Sequence, residues 1–200
     1  QTLAGLEKYS KRTRRAQFLA EMERVVPWAE LCALIEPHYP KASPEGGRPA
    51  IPLERMLRVY FLQQWFNLSD PAVEDALYDS TAMREFVGID LGCEAAPDET
   101  TVCKFRKLLV KQRLGKTLLK GVNEHLRRQG IKLSNGTIVD ATIISAPSST
   151  KNGDGERDPE MGHTVKGKEW HFGMKAHVGV DSRHKLIHTV QVSPANWADS

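Results

Sequence analysis

One carboxylate and one run of cations carry the chemistry this sequence could do. Asp140 is the single acidic side chain in Thr137-Ile138-Val139-Asp140-Ala141-Thr142-Ile143-Ile144, a stretch rich in β-branched residues. An ionised carboxylate is costly to bury in such a strand unless it is paired or bound to a metal. Two readings fit. Asp140 caps a neighbouring loop or pairs with Lys175 or Arg183, or it is a metal ligand whose hard oxygens suit Mg²⁺ and whose strand holds it rigidly. Two-metal phosphoryl transfer places its ions about 3.5–4 Å apart and needs more than one such carboxylate. Asp140 alone does not meet that need.

The cations lie just upstream. Lys104, Arg106, Lys107, Lys111, Arg113, Lys116, Lys120, Arg127, Arg128 and Lys132 are opposed in that stretch only by Glu124. Such a block is either a solvated helix face, balanced by the acidic segment before it, or a phosphate-binding surface. On the second reading, affinity falls with salt because each neutralised phosphate releases counterions. Regularly spaced apolar residues through the block indicate a folded element rather than a disordered tail, and nucleic acid is the favoured partner. Five histidines, His163, His171, His177, His184 and His188, invite a zinc reading. No cysteine joins them, and His171-x₅-His177 on a strand chelates poorly. His171 and His177 share a strand face, and with Lys151, Lys166, Lys168 and Lys175 they are candidate contacts to DNA or to an active-site rim.

The elements that position these groups change character near residue 134. Upstream, apolar spacing is helical: Phe18, Leu19, Met22, Val25 and Val26 form one stripe, and Leu53, Met56, Leu57, Tyr60 and Phe61 another. Ser69-Asp70-Pro71, Ser80-Thr81 and Asp98 read as helix starts, and Gly88 and Gly130 as stops. Val102, Phe105, Leu108 and Leu109 line one helix, and Leu118, Leu119, Val122 and Leu126 a last one. Short helices joined by tight turns suit a helix-turn-helix DNA reader. Arg106, Lys107, Lys111 and Arg113 fall on or near the side away from the apolar stripe.

Downstream, Thr137 to Ile144, His171 to Asp181 and Lys185 to Val192 read as strands of an antiparallel sheet. Residues 146–169, poor in apolar side chains, read as a long mobile loop. The expected fold is α+β, with a helical DNA-binding domain over 1–134 and a β domain over 135–200. The 200 residues carry 28 basic and 25 acidic side chains, an ordinary globular balance. No membrane span or secretory signal is recognisable. Cys32, Cys93 and Cys103 read as buried, reduced thiols of a cytosolic protein.

The segment Gly136 to Ile144, continued by Ala146-Pro147-Ser148-Ser149-Thr150-Lys151-Asn152, resembles bacterial insertion-sequence transposases of the DDE class. So do Arg157 to Met161 and Trp170 to Asp181. Upstream, Pro27-Trp28, Glu36 to Pro40, Gly46 to Pro49 and Asp98 to Thr101 match the same group, so the resemblance spans nearly the whole chain. It implies a helical domain that binds the element's terminal inverted repeats in double-stranded DNA, and an RNase H-like domain whose Asp-Asp-Glu triad holds two Mg²⁺ (or Mn²⁺) ions for strand cleavage and transfer into target DNA. It also implies self-association and a bacterial cytoplasmic location, at the nucleoid when DNA-bound. Asp140 matches the first catalytic aspartate and metal ligand. The second aspartate and the glutamate have no match here. The resemblance therefore implies the N-terminal two-thirds of a transposase with an incomplete sheet, inactive on its own; a non-catalytic DNA-binding remnant or regulator is the alternative. Asp181, at a strand end, reads as a turn residue, and Asp199 matches a position outside the triad.

Overall fold

A computed structural model describes residues 11–40, 50–131, 137–147, 150 and 156–197. The fold is α+β, and the chain divides into two compact units, residues 1–122 and 123–200.

The first unit is helical. It comprises α1 (Arg14–Val25), α2 (Trp28–Ile35) with a 3₁₀ turn at Glu36–His38, α3 (Leu53–Phe66), α4 (Asp70–Asp79), α5 (Thr81–Val87), α6 (Glu99–Lys111) and the start of α7 (Leu114–Arg128). Side chains fix where four of these begin. Thr13 accepts from the Ala16 N–H, Ser69 from Ala72, Ser80 from Met83 and Asp98 from Thr101, so each satisfies an orphan donor of a first turn. Left-handed residues end two of them, Asn67 at φ 51° after α3 and Gly88 at φ 74° after α5. Arg113, also left-handed at φ 52°, breaks the cationic block between α6 and α7.

Packing follows the apolar stripes with two departures. Leu19, Met56, Leu57, Val102, Phe105 and Leu109 are buried as their spacing predicts, whereas Val25 is 50% exposed at the end of α1. The helix α2, which periodicity alone does not assign, supplies Trp28, Leu31 and Ile35 to the core behind a proline N-cap. Trp28, Phe61, Trp65 and Phe86 meet edge-on or tilted with centroids 5.2–6.5 Å apart. Each such pair is worth roughly 0.5–1.5 kcal/mol beyond its buried area. The cysteines are free, but the expectation of burial fails at Cys93, which is exposed in the turn after Asp90. Cys32 and Cys103 are only half-buried; at Cys32 that burial pushes the thiol up to about 11, with Glu54 adding to the effect. Among the described residues no helix is long and apolar enough to cross a membrane.

The second unit is an antiparallel sheet built on one long strand. β1 (Thr137–Ser145), β2 (Gly162–Lys166) and β4 (Ile187–Pro194) all pair with β3 (Glu169–Asp181). β1 runs along one edge of β3, from Thr137 opposite Asp181 to Ser145 opposite Gly173. The other edge carries β2 against Glu169–Gly173 and then β4 against Met174–Val180. Residues 162–166 correct the reading of 146–169 as loop throughout. Val165 is the lone large apolar residue of β2, too weak a signal for alternation, and the strand is defined by its pairing with Trp170 and Phe172 across the Gly167-Lys168 turn. At Gly173, φ is 152° and an added Cβ would stand 2.1 Å from the Ile144 carbonyl oxygen, so only glycine lets β1 lie this close. In the same unit the buried Asn123 amide donates to the His188 carbonyl at 3.2 Å, tying the end of α7 to β4.

Candidate nucleic-acid interface and catalytic strand

The cationic side chains of α6 are displayed by the burial of its opposite side. Val102, Phe105 and Leu109 enter the core, which turns Lys104, Arg106, Lys107 and Lys111 outward, all exposed. Lys104, Lys107 and Lys111, spaced three and four residues apart, form one row. Arg113, Lys116 and Lys120 are exposed at the joint and along α7, as are Arg127 and Arg128 near its end. Lys132 lies outside the described residues.

Arg106 differs from the lysines. Its Nη2 donates to Asp70 Oδ2 at 2.6 Å, and Asp70 Oδ1 accepts at 2.9 Å from the amide of Gln63, which is 5% exposed. The Arg106 hydrogen bond, with that of Gln63, holds the Asp70 carboxyl below its ordinary value. A groove of about 380 Å³ lies beside this pair, lined by Asp70, Thr100, Cys103, Lys104 and Lys107. Glu74 reaches the N-terminus of α6, accepting from the Glu99 N–H at 2.6 Å.

A larger groove, about 650 Å³, lies between α1, α3 and α5, but its charges face one another. Arg58 donates to Glu23 and Glu54 and to the Phe86 carbonyl while lying over the rings of Trp28 and Phe86. That cation is a pin between helices, not a free anion site.

In the second unit, register fixes which groups share a face. Asp140 pairs with Val178, so it projects beside Val178 and Ala176, while Lys175 and His177, paired with Ile143 and Ala141, project from the other side. The sheet therefore separates Asp140 from three of the side chains read as its rim, His171, Lys175 and His177, and so from Lys175 as an ion-pair partner. Lys175 instead donates to the Trp197 carbonyl at 2.9 Å. His177 Nε2 lies 2.9 Å from Ser193 Oγ and His171 Nδ1 3.3 Å from Ser145 Oγ. Lys166 and Lys168 are exposed at the β2–β3 turn, and Lys151 lies outside the described residues.

Asp140 itself is exposed, so the burial argument that singled it out does not hold, although its isolation does. Exposed Thr142 shares its face, which is otherwise largely apolar and open: Ile144 is 52% exposed, Ile187 46%, Val190 37% and Val192 47%. Asp181 is fully buried and directed at its own turn, where Oδ1 accepts from the N–H groups of Arg183 at 3.0 Å and His184 at 2.6 Å. Asp199 lies outside the described residues.

Residues 7–108 match the family model described as Transposase domain (DUF772) and residues 131–200 the one described as Transposase DDE domain. The chain belongs to the DDE transposases of insertion sequences. No solved structure matches it. This family's DDE domain typically uses divalent metal. The donor chemistry of Asp140 fits such an ion, but the donor number does not: among the described residues no three His, Cys, Asp or Glu side chains come together. Among the described residues Asp140 thus has no companion ligands of this kind, and no step through a metal follows from the geometry. Besides the helix α2, two features escaped the sequence reading, the Asp70–Arg106 link and the strand β2. Both depend on partners distant in sequence, and only the cap Ser69-Asp70 gave a local sign of the first.

Proposed function

We propose that this transposase binds the terminal inverted repeats of its element through the exposed cations of α6 and α7, in preparation for Mg²⁺-dependent cleavage and transfer of DNA strands. The observation that carries the DNA-binding part is the α6 row Lys104, Lys107 and Lys111, held outward by a fully packed opposite side. On this reading residues 1–134 are a helix-turn-helix-like DNA-binding domain and residues 135–200 belong to an RNase H-like catalytic domain. Asp140 is the first metal-binding carboxylate, fixed by a strand and open to solvent. Divalent ions, when bound, would supply Lewis-acid activation of water and of the leaving oxygen. Among the described residues Asp140 is not joined by further carboxylates, so the reading assigns it one role, that of first metal-binding carboxylate. The same reading includes self-association and work at the bacterial nucleoid.

The test is duplex binding against salt. Replacing Lys107, Lys111 and Arg113 with Gln should weaken binding across all sequences and reduce the slope of log affinity on log salt by about one for each phosphate no longer neutralised. Unchanged affinity and slope would remove the α6–α7 face from the DNA surface. Mg²⁺-dependent nicking of terminal-repeat DNA, abolished in Asp140→Ala, would support the catalytic part, and nicking that survives the change would refute it.

A further inference from the structure

Resting on the DNA-binding reading above, we infer that Arg106 reads a base edge, with Asp70 as its positioning residue, while the lysines around it contact phosphates.

The cations of α6 are not equivalent. A lysine ammonium on a flexible stem suits a phosphate as a point charge, whereas a guanidinium offers paired donors in a fixed fork. That fork matches the O6 and N7 acceptors of guanine in the major groove. Using it on a base requires that the side chain not wander, and Arg106 alone on this helix is held. Asp70 takes one hydrogen of Nη2 at 2.6 Å, and the buried Gln63 amide holds Asp70 from behind at 2.9 Å. The Cys103 sulfur, 3.9 Å from the same nitrogen, is a weak acceptor that a base can displace. Asp70 takes one Nη2 hydrogen and with it one edge of the guanidinium; the other two-donor edge becomes whole once a base displaces the weak sulfur contact from the second Nη2 hydrogen. Nothing among the described residues takes the Nε and Nη1 hydrogens, and the side chain remains 47% exposed. This is a cation fixed in direction and still half-exposed.

The neighbour four residues on supports the same surface. Val110 is 72% exposed, an apolar side chain set beside Arg106 on the solvent side of a folded helix. Apolar groups at that place meet the thymine methyl in a major groove. The lysine row Lys104, Lys107 and Lys111 lies to one side of this pair, where it would follow the backbone. Base reading and phosphate contact are thereby divided between two strips of one helix.

The experiment selects duplexes with a randomised central segment on the full chain and on Arg106→Lys, Asp70→Asn and Lys107→Gln variants, with folding checked by thermal melting. Wild type should enrich a motif containing guanine. Arg106→Lys should lose about tenfold of the preference at one guanine with an unchanged salt slope. Asp70→Asn should relax the same position, whereas Lys107→Gln should lower the salt slope and keep the motif. A motif retained in full by Arg106→Lys would overturn the inference, even if Asp70→Asn unfolds. Salt-dependent binding by wild type with no enriched sequence would also overturn it while leaving the DNA-binding reading intact. No binding to any duplex would remove both.

Discussion

Single residues in this chain are set by close neighbours, and the consequences can be measured one at a time. Gly173 lies where β1 closely approaches β3, so Gly173→Ala combines a strained φ with a collision against the Ile144 carbonyl. A loss of at least about 2 kcal/mol is expected, read as a lower urea midpoint for the β signal. Cys32 and Cys93 make a second pair of expectations. With its thiol pushed up to about 11 by burial, Cys32 stays protonated in the folded state while an unfolded thiol ionises from about pH 9 upward. Stability from this group is therefore complete below pH 9 and lost as pH rises from there towards 11. In peptide mapping after brief alkylation at neutral pH, exposed Cys93 should be labelled before Cys32; the reverse order would contradict the packing around α2.

At the scale of elements, caps and cross-links decide where helices stand. Asp98→Ala removes the acceptor for the Thr101 N–H at the start of α6, and about 1 kcal/mol of stability should go with it. The Asp70–Arg106 link between α4 and α6 adds a pH dependence. Its carboxyl is held below the ordinary value, so its contribution is present above about pH 4 and is lost as acid lowers the pH through the folded value. Between about pH 5 and pH 3, the thermal midpoint of Asp70→Asn should fall less than that of wild type. These two elements also show what the sequence makes legible. Ser69, Ser80, Asp98 and Gly88 act within four residues of themselves, so their roles can be read from spacing. Gln63, Asp70 and Arg106 are brought together by tertiary packing, and no local pattern announces them. Asp140 stands out by its odd chemistry among β-branched neighbours, but its exposure depends on what lies over the sheet face, which periodicity does not report. β2 stays hidden because a five-residue strand with one large apolar side chain acquires its identity from β3.

Across the whole molecule, the two units are organised on different plans. The helical unit distributes its core over all of its helices, with Leu31, Leu57, Leu62 and Leu77 each fully buried. A truncation such as Leu57→Ala should cost about 2–5 kcal/mol without changing which helices form. In the sheet, β1, β2 and β4 share hydrogen bonds with β3 and, among the described pairings, not with one another. The ladder is thus a hub with three spokes, and detaching the hub leaves no pair of strands behind. Amide protons of β1 and β4 should therefore exchange with deuterium at one common rate, governed by release of the strand between them, rather than peeling in sequence from either edge.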